Sequence, residues 1–380
     1  MTFSSNQMNP KWFEPASKFV DSLFPAAVAK LGQLVKIPGI AWPSFDQGNL
    51  EISAEKVADE FRQLQFFDFV EIRRAAKPSG ELGAPAVVAR KAGHPSAPHV
   101  LLYAHHDVQP PGDRSLWETE PFEATLKGDR LFGRGASDDK SGIITHLTSL
   151  RAFIQLATEI RSGVTVFVEG EEEAGSESFP EFLRENHADL AADLIVVADS
   201  GNWSEDVPAL TSSLRGMVSQ TFTLKTLDHA LHSGMYGGPL PDANTAMIRL
   251  LASLTDEKGS VAISGLDSVS IDGPELSDEE FGQVAGLLPG VERLGTKSVT
   301  QQIWGEPAVT VIGLDFPAVD VASNTAQPAI RAKISLRLAP SQDPQSGLEA
   351  LRDHLHRHKP VGSELEFGRH ETGPGYLAKD

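Results

Sequence analysis

The apolar positions come first. In residues 15–36, Val20, Leu23, Phe24, Val28, Leu31 and Val35 fall roughly on one face, a helical spacing that Pro38 and Pro43 end. A second helix is predicted from about Ser53 to Leu64. Val70–Arg74, Ala86–Lys91 and His99–Ala104 then read as strands, and residues 142–156 as a helix. Val164–Val168 and Leu194–Ala198 are short and almost wholly apolar, which suits strands buried on both faces of a mainly parallel sheet. The pattern changes near Thr211. Met217–Leu224 alternates, Asn244–Leu254 is helical, Val309–Ile312 and Ile330–Leu338 are strands, and Gly347–His358 is helical. The Gly/Pro/Asp-rich residues 255–295 read as loop. These patterns predict a layered α/β domain over residues 1–211, followed by a smaller α+β domain with one open sheet face.

A chain of 380 residues has room for two such domains. Acidic residues outnumber basic ones 52 to 33, a net charge of -19, which argues against nucleic acid and anionic membranes as partners. No apolar run approaches the roughly 18 residues of a membrane helix. The first residues do not read as a signal peptide, so a cytoplasmic location is expected. Cysteine is absent. That removes disulfides, a thiol nucleophile and thiolate metal sites together, so any metal would be held by His, Asp and Glu.

In open α/β sheets, sites form beyond the carboxyl ends of the strands. The residues there are polar in four places. HVLLYAHHDVQPPGD ends a strand in His105, His106 and Asp107. On extended backbone His105 and Asp107 share a face and His106 turns away, so Asp107 is placed to hold the second ring nitrogen of a metal-bound His105. RLFGRGASDDKSG carries Asp138 and Asp139 through a Gly-rich turn into a helix, where either is also a natural N-cap. VTVFVEGEEEAGS crowds Glu169, Glu171, Glu172 and Glu173 at a strand end, which is costly unless a cation sits among them. In DLIVVADSGNW, Asp199 follows an apolar run, and a turn-forming Asp fits equally well. Together these residues suit a hard or borderline divalent metal such as Zn²⁺, Mn²⁺ or Co²⁺, and two ions roughly 3.5–4 Å apart would answer the crowding.

The order His-x-Asp, Gly-Arg-Gly-x-x-Asp-x-Lys, Glu-Glu before Gly-Ser and a lone Asp resembles the dinuclear metallopeptidase family of carnosinase-type dipeptidases, aminoacylases, acetylornithine deacetylase and succinyl-diaminopimelate desuccinylase. The wording YAHHDVQP, GRGASDDKSG and EGEEEAGS looks most like the dipeptidase branch. The resemblance implies that His105 and Asp199 bind one metal, Glu173 binds a second and Asp138 bridges them. It further implies that Asp107 orients His105 and that Glu172 is the general base. Residues 212–372 become an inserted lid and dimerisation domain, with 373–380 beginning the return to the catalytic domain. Within DHALHSGMYGG, His232 falls on a residue that reaches across the dimer to stabilise an oxyanion; by pattern alone it is a turn His beside Gly234. Asn324 and Arg337 fall on substrate-holding positions, and Arg337 would pair with a free C-terminal carboxylate. His354, His356 and His358 read as a solvated helix face.

One departure is visible. The family's return segment carries a Gly-rich substrate loop and a final His that completes the second metal site. This chain stops at GRHETGPGYLAKD, and His370 falls in the lid-exit segment. The expectation is therefore a chain lacking the end of its catalytic domain and holding its second metal weakly. The implied function is metal-dependent hydrolysis of the amide bond in dipeptides or similar small peptides. The alternatives are an N-acyl amino acid deacylase and a non-catalytic remnant.

Overall fold

A computed structural model describes residues 10–157, 159–204 and 207–378. The chain forms two compact units that divide between Pro208 and Ala209.

The first unit opens with α1 (Pro10–Val35) and α2 (Gly48–Arg62), followed by β1 (Phe69–Arg73), β2 (Ala86–Lys91) and β3 (His99–His105). Next come α3 (Lys140–Leu156), β4 (Gly163–Glu169), α4 (Phe179–Glu185) and β5 (Leu194–Val197). The strands form one sheet in the order β1-β2-β4-β3-β5. It is mixed: β3 runs parallel to β4 and β5, while β1 and β2 join antiparallel. Every residue of β4 is buried, because alternate side chains enter opposite layers. Val164, Val166 and Val168 pack with Leu34, Phe61 and Leu147 from the three long helices. Phe167 packs with Phe182 and Leu190 on the other face.

One expectation fails here. The apolar run Leu194–Val197 forms a strand but is not buried on both faces; all four residues are exposed, from 40% at Val196 to 59% at Ile195. Among the described residues β5 is the edge of the sheet, so nothing pairs with its outer side.

The second unit has β6 (Gly216–Lys225), α5 (Ala243–Ala252), β7 (Ala308–Leu314), β8 (Ala329–Leu338), α6 (Pro344–His358) and β9 (Glu364–Gly373). Its sheet is antiparallel throughout, ordered β7-β8-β6-β9. Ile330, Ala332, Ile334, Leu336 and Leu338 of β8 point into a core with Phe222, Met247 and Leu351, while the intervening residues face outward. Both helices start at Asp caps: Asp242 accepts from Thr245 N and Asp343 from Ser346 N. The stretch expected to be loop contains a short helix, Asp278–Ala285. Ser277 and Glu280 form a capping box at its start, and Gly286 ends it with a positive φ. Tyr376–Leu377 stays within this unit, paired with Ser213–Leu214.

Candidate metal centre

The first unit gathers its acidic strand ends at one place. His105 ends β3 and is fully buried. Its Nε2 lies 3.0 Å from Asp138 Oδ1 and 3.9 Å from Asp199 Oδ2, while Nδ1 lies 3.3 Å from Asp107 Oδ1. Asp107 does more than orient that ring. Its Oδ1 accepts from Glu172 N at 3.2 Å and its Oδ2 from Glu173 N at 3.1 Å. One buried carboxylate therefore fixes both the His and the turn that presents the two Glu side chains. His106 faces away, its Nε2 donating to Pro85 O at 2.8 Å.

Backbone shape brings Asp138 and Asp199 in. Gly135 has φ +79°, which lets the chain turn sharply before Asp138. Gly142 lies in the first turn of α3, where a Cβ would collide with the Asp139 carboxylate and with Ala198 O. Only glycine allows α3 to approach the end of β5, from which Asp199 projects. Asp139 Oδ2 accepts from His105 N at 3.1 Å. Lys140 is buried and donates to Leu34 O and Ile37 O, so it ties α3 to the end of α1 and is not a surface counter-charge.

Glu171 separates from its neighbours. Its carboxylate accepts from Ala84 N and Ser178 N, at 3.0 and 2.6 Å, and lies 3.5 Å from Lys77 Nζ. Burial would raise its pKa, but these partners outweigh that and lower it. Glu172 has no such set. Burial first, then Asp199, Glu173 and Asp107, push it up to about 7 against the opposing pull of His105. Burial likewise raises Glu173 and Asp199. His105 moves the other way: burial lowers it, but Asp107, Asp139 and Asp199 together leave it raised to about 10.

Carboxylates crowded around one His leave room for a cation among them. Two sets of donor atoms fit a cation, each set lying within 4.8 Å: His105 with Glu172 and Asp199, and His105 with Asp138 and Glu173. The donors are all imidazole and carboxylate, which suits Zn²⁺ or its neighbours. Gln109 also belongs here, because its Nε2 donates to Glu173 Oε2 at 2.6 Å. Nothing in the sequence pattern singles out a Gln; only its place two residues beyond Asp107 hints at it.

The three remaining site candidates lie in the second unit. His232 is exposed, and its Nδ1 accepts from Gly234 N at 3.1 Å, capping a single helical turn. Leu231–His232 pairs with Thr325–Ala326, and Ser233 N donates to Asn324 O, so His232 and Asn324 are neighbours. Arg337 is exposed on the open face of the sheet. His354 departs from its expected solvated face, because it is 1% exposed.

Residues 101–359 match Peptidase family M20/M25/M40. The chain belongs to this family. It is 35% identical over 274 residues to a cysteinylglycine-S-conjugate dipeptidase of Corynebacterium striatum, covering 71% of this chain and 60% of that protein. It is 28% identical over 317 residues to a Beta-Ala-His dipeptidase of Rattus norvegicus, covering 78% and 64%. The chain thus spans less than two thirds of the length of these relatives. The fold is shared with human carnosine dipeptidase 1, with a TM-score of 0.77 at 22% identity over 96% of this chain and 81% of that one. It is also shared with the dipeptidase Dug1p of Saccharomyces cerevisiae, with a TM-score of 0.76 at 22% identity and the same coverage. Among the described residues, no helix is long and apolar enough to cross a membrane.

Proposed function

We propose that this peptidase-family chain hydrolyses the amide bond of dipeptides or similar small peptides, using two divalent cations held at the carboxyl ends of β3, β4 and β5. The observation that carries this reading is the meeting of His105, Asp138, Glu172, Glu173 and Asp199 in two overlapping ligand sets. His105 and Asp199 would hold one ion, Glu173 the other, and Asp138 both. Zn²⁺ fits the donor set, with Mn²⁺ and Co²⁺ as substitutes. Bound there, the ions supply positive charge that acidifies water and polarises the scissile carbonyl.

The protein's own part is proton handling and positioning. Glu172 has a carboxylate raised to about 7, near the value at which a base accepts a proton and returns it at neutral pH. It would take the proton of the attacking water and pass it to the leaving amine. Asp107 fixes the backbone of Glu172 and the ring of His105 together, so base and ligand keep their spacing. In the second unit, Arg337 would take the peptide's free carboxylate, Asn324 would hold the substrate, and His232 would serve the oxyanion of a partner subunit in a homodimer.

Metal content by mass spectrometry, paired with hydrolysis of Gly-Leu and of N-acetylleucine under added Zn²⁺, Mn²⁺ or Co²⁺, tests this. Cleavage of Gly-Leu in preference to N-acetylleucine is expected. The reverse preference makes the chain a deacylase. No bound metal and no cleavage of either would overturn the enzymatic reading for this chain.

A further inference from the structure

Position 106 is the open place in the His-x-Asp pattern, and this chain fills it with a second His. His106 is fully buried. Its Nε2 donates to Pro85 O at 2.8 Å, while its Nδ1 has no partner among the described residues. A buried lone pair left unmatched is costly, and an apolar side chain would avoid the cost. What the imidazole gives in return is its one hydrogen bond and the flat ring that makes it.

Both support the turn that carries the glutamates. Gly170 directly follows β4 and opens that turn. A Cβ on Gly170 would lie 2.2 Å from Pro85 O and 2.8 Å from His106 Nε2, so the turn begins flush against the bond between them. The neighbouring residue fastens the same segment again, because Ala84 N donates to Glu171 Oε2 at 3.0 Å. Gly83 is equally close-packed; a Cβ there would lie 2.1 Å from Ser178 Oγ. Residues 83–85 are thus a strut between His106 and the turn. Asp107 grips the turn further along, at Glu172 N and Glu173 N. Consecutive residues beyond β3 therefore hold one turn in two ways, Asp107 directly and His106 through Pro85 and Gly170. Catalytic groups need such support, since a misplacement of about 1 Å can cost about a hundredfold in rate.

We propose that His106 is a positioning residue for Glu172: by holding Pro85 against Gly170 it fixes the start of the turn, and with it the spacing between Glu172 and His105. This rests on the dipeptidase reading, which gives Glu172 its part in the reaction and leaves His106 without one.

The test compares the native chain with His106→Leu and His106→Gln, all loaded with Zn²⁺ and assayed on Gly-Leu. His106→Leu should lower kcat about tenfold to a hundredfold, with KM within about twofold of native and Zn²⁺ content unchanged. His106→Gln places an amide N–H where Nε2 stands and should recover most of the loss. A native kcat in His106→Leu, whatever its melting temperature, would reduce His106 to packing and overturn the proposal. So would a kcat that falls only in step with Zn²⁺ content, or one that Gln fails to recover. Where His106→Leu does not fold, His106→Asn replaces it, because that shorter amide does not reach Pro85 O; equal kcat in the Asn and Gln variants overturns the proposal. The visible absorption of the Co²⁺-loaded proteins gives a reading independent of turnover, since Glu173 lies on the same turn. It should change in His106→Leu and return in His106→Gln, and an unchanged spectrum in His106→Leu overturns the proposal. Absent Gly-Leu hydrolysis by the native chain counts against the dipeptidase reading alone, and the Co²⁺ spectra then decide whether His106 sets the turn.

Discussion

Gln109 Nε2 donates to Glu173 Oε2 across 2.6 Å. The bond occupies one carboxylate oxygen and aims the other, which is how outer partners tune a metal ligand. Removing it should loosen the ion that Glu173 holds and spare the one held by His105 and Asp199. Gln109→Leu is expected to weaken one of two metal affinities by about 10–100-fold, read by competition with a chelating dye. A variant whose two sites both match the parent would show the bond to be incidental.

Adjacent glutamates should fail in different ways. Glu172→Gln keeps the side chain's size and removes the base, so turnover should fall by about 10²–10⁴ with metal content retained. Glu171→Gln weakens the anchor on Ala84 N, Ser178 N and Lys77. It should lower thermal stability, by about 1–3 kcal/mol for the buried groups left poorly satisfied, and leave kcat per folded molecule nearly intact. Measuring melting temperature and kcat on both variants checks the pair. The opposite pattern would exchange their roles.

The difference between these two glutamates also marks where the sequence stops being readable. Apolar periodicity placed β2 at its observed bounds and most other strands within a residue or two, because burial in the core leaves a direct trace in side-chain type. It missed β9, whose sequence ELEFGRHETG carries charge at four of its ten positions and lies at a sheet edge. The short helix from Asp278 was hidden by surrounding Gly and Asp, although its capping box was present in Ser277-Asp278-Glu279-Glu280. At the centre, the carboxylates were visible as strand-end residues. Which of them turns from the centre to anchor backbone was not, because Glu171 is set apart by partners 87 and seven residues away in sequence. Gln109 carried no signal beyond its place two residues after Asp107, since a single amide beside a strand is ordinary.

The apolar edge has a colloidal consequence. Among the described residues β5 offers an unpaired strand flank with Leu194, Ile195, Val196 and Val197 all exposed, and the strand itself carries no Lys or Pro. Self-association is expected as the protein concentration rises. Ile195→Lys places a charge on that flank and should shift light scattering towards the smaller species without altering the circular dichroism spectrum. Identical concentration dependence in the two proteins would clear β5 of the association.

His354 predicts an acid-sensitive second unit. It is 1% exposed, its ring stacks on His358 with centroids 3.9 Å apart, and its Nε2 lies 3.0 Å from Ser253 Oγ. The Ser253 hydroxyl hydrogen is used on Leu250 O at 2.6 Å, so His354 is the donor between them. Burial, followed by the charges of His358 and Arg357, lowers the His354 pKa from 6.5 to about 4. The folded state therefore keeps this ring neutral, while the unfolded chain takes up a proton below about 6.5. Stability rises with pH wherever the unfolded state binds more protons. The contribution is complete above 6.5 and is lost as pH falls from there to about 4. His354→Gln can still donate to Ser253 but has nothing to titrate, so its unfolding midpoint should vary less across that window. Urea melts of parent and variant at pH 7, 6, 5 and 4.5, followed by a signal from the second unit, make the comparison. Parallel curves would place the acid sensitivity elsewhere.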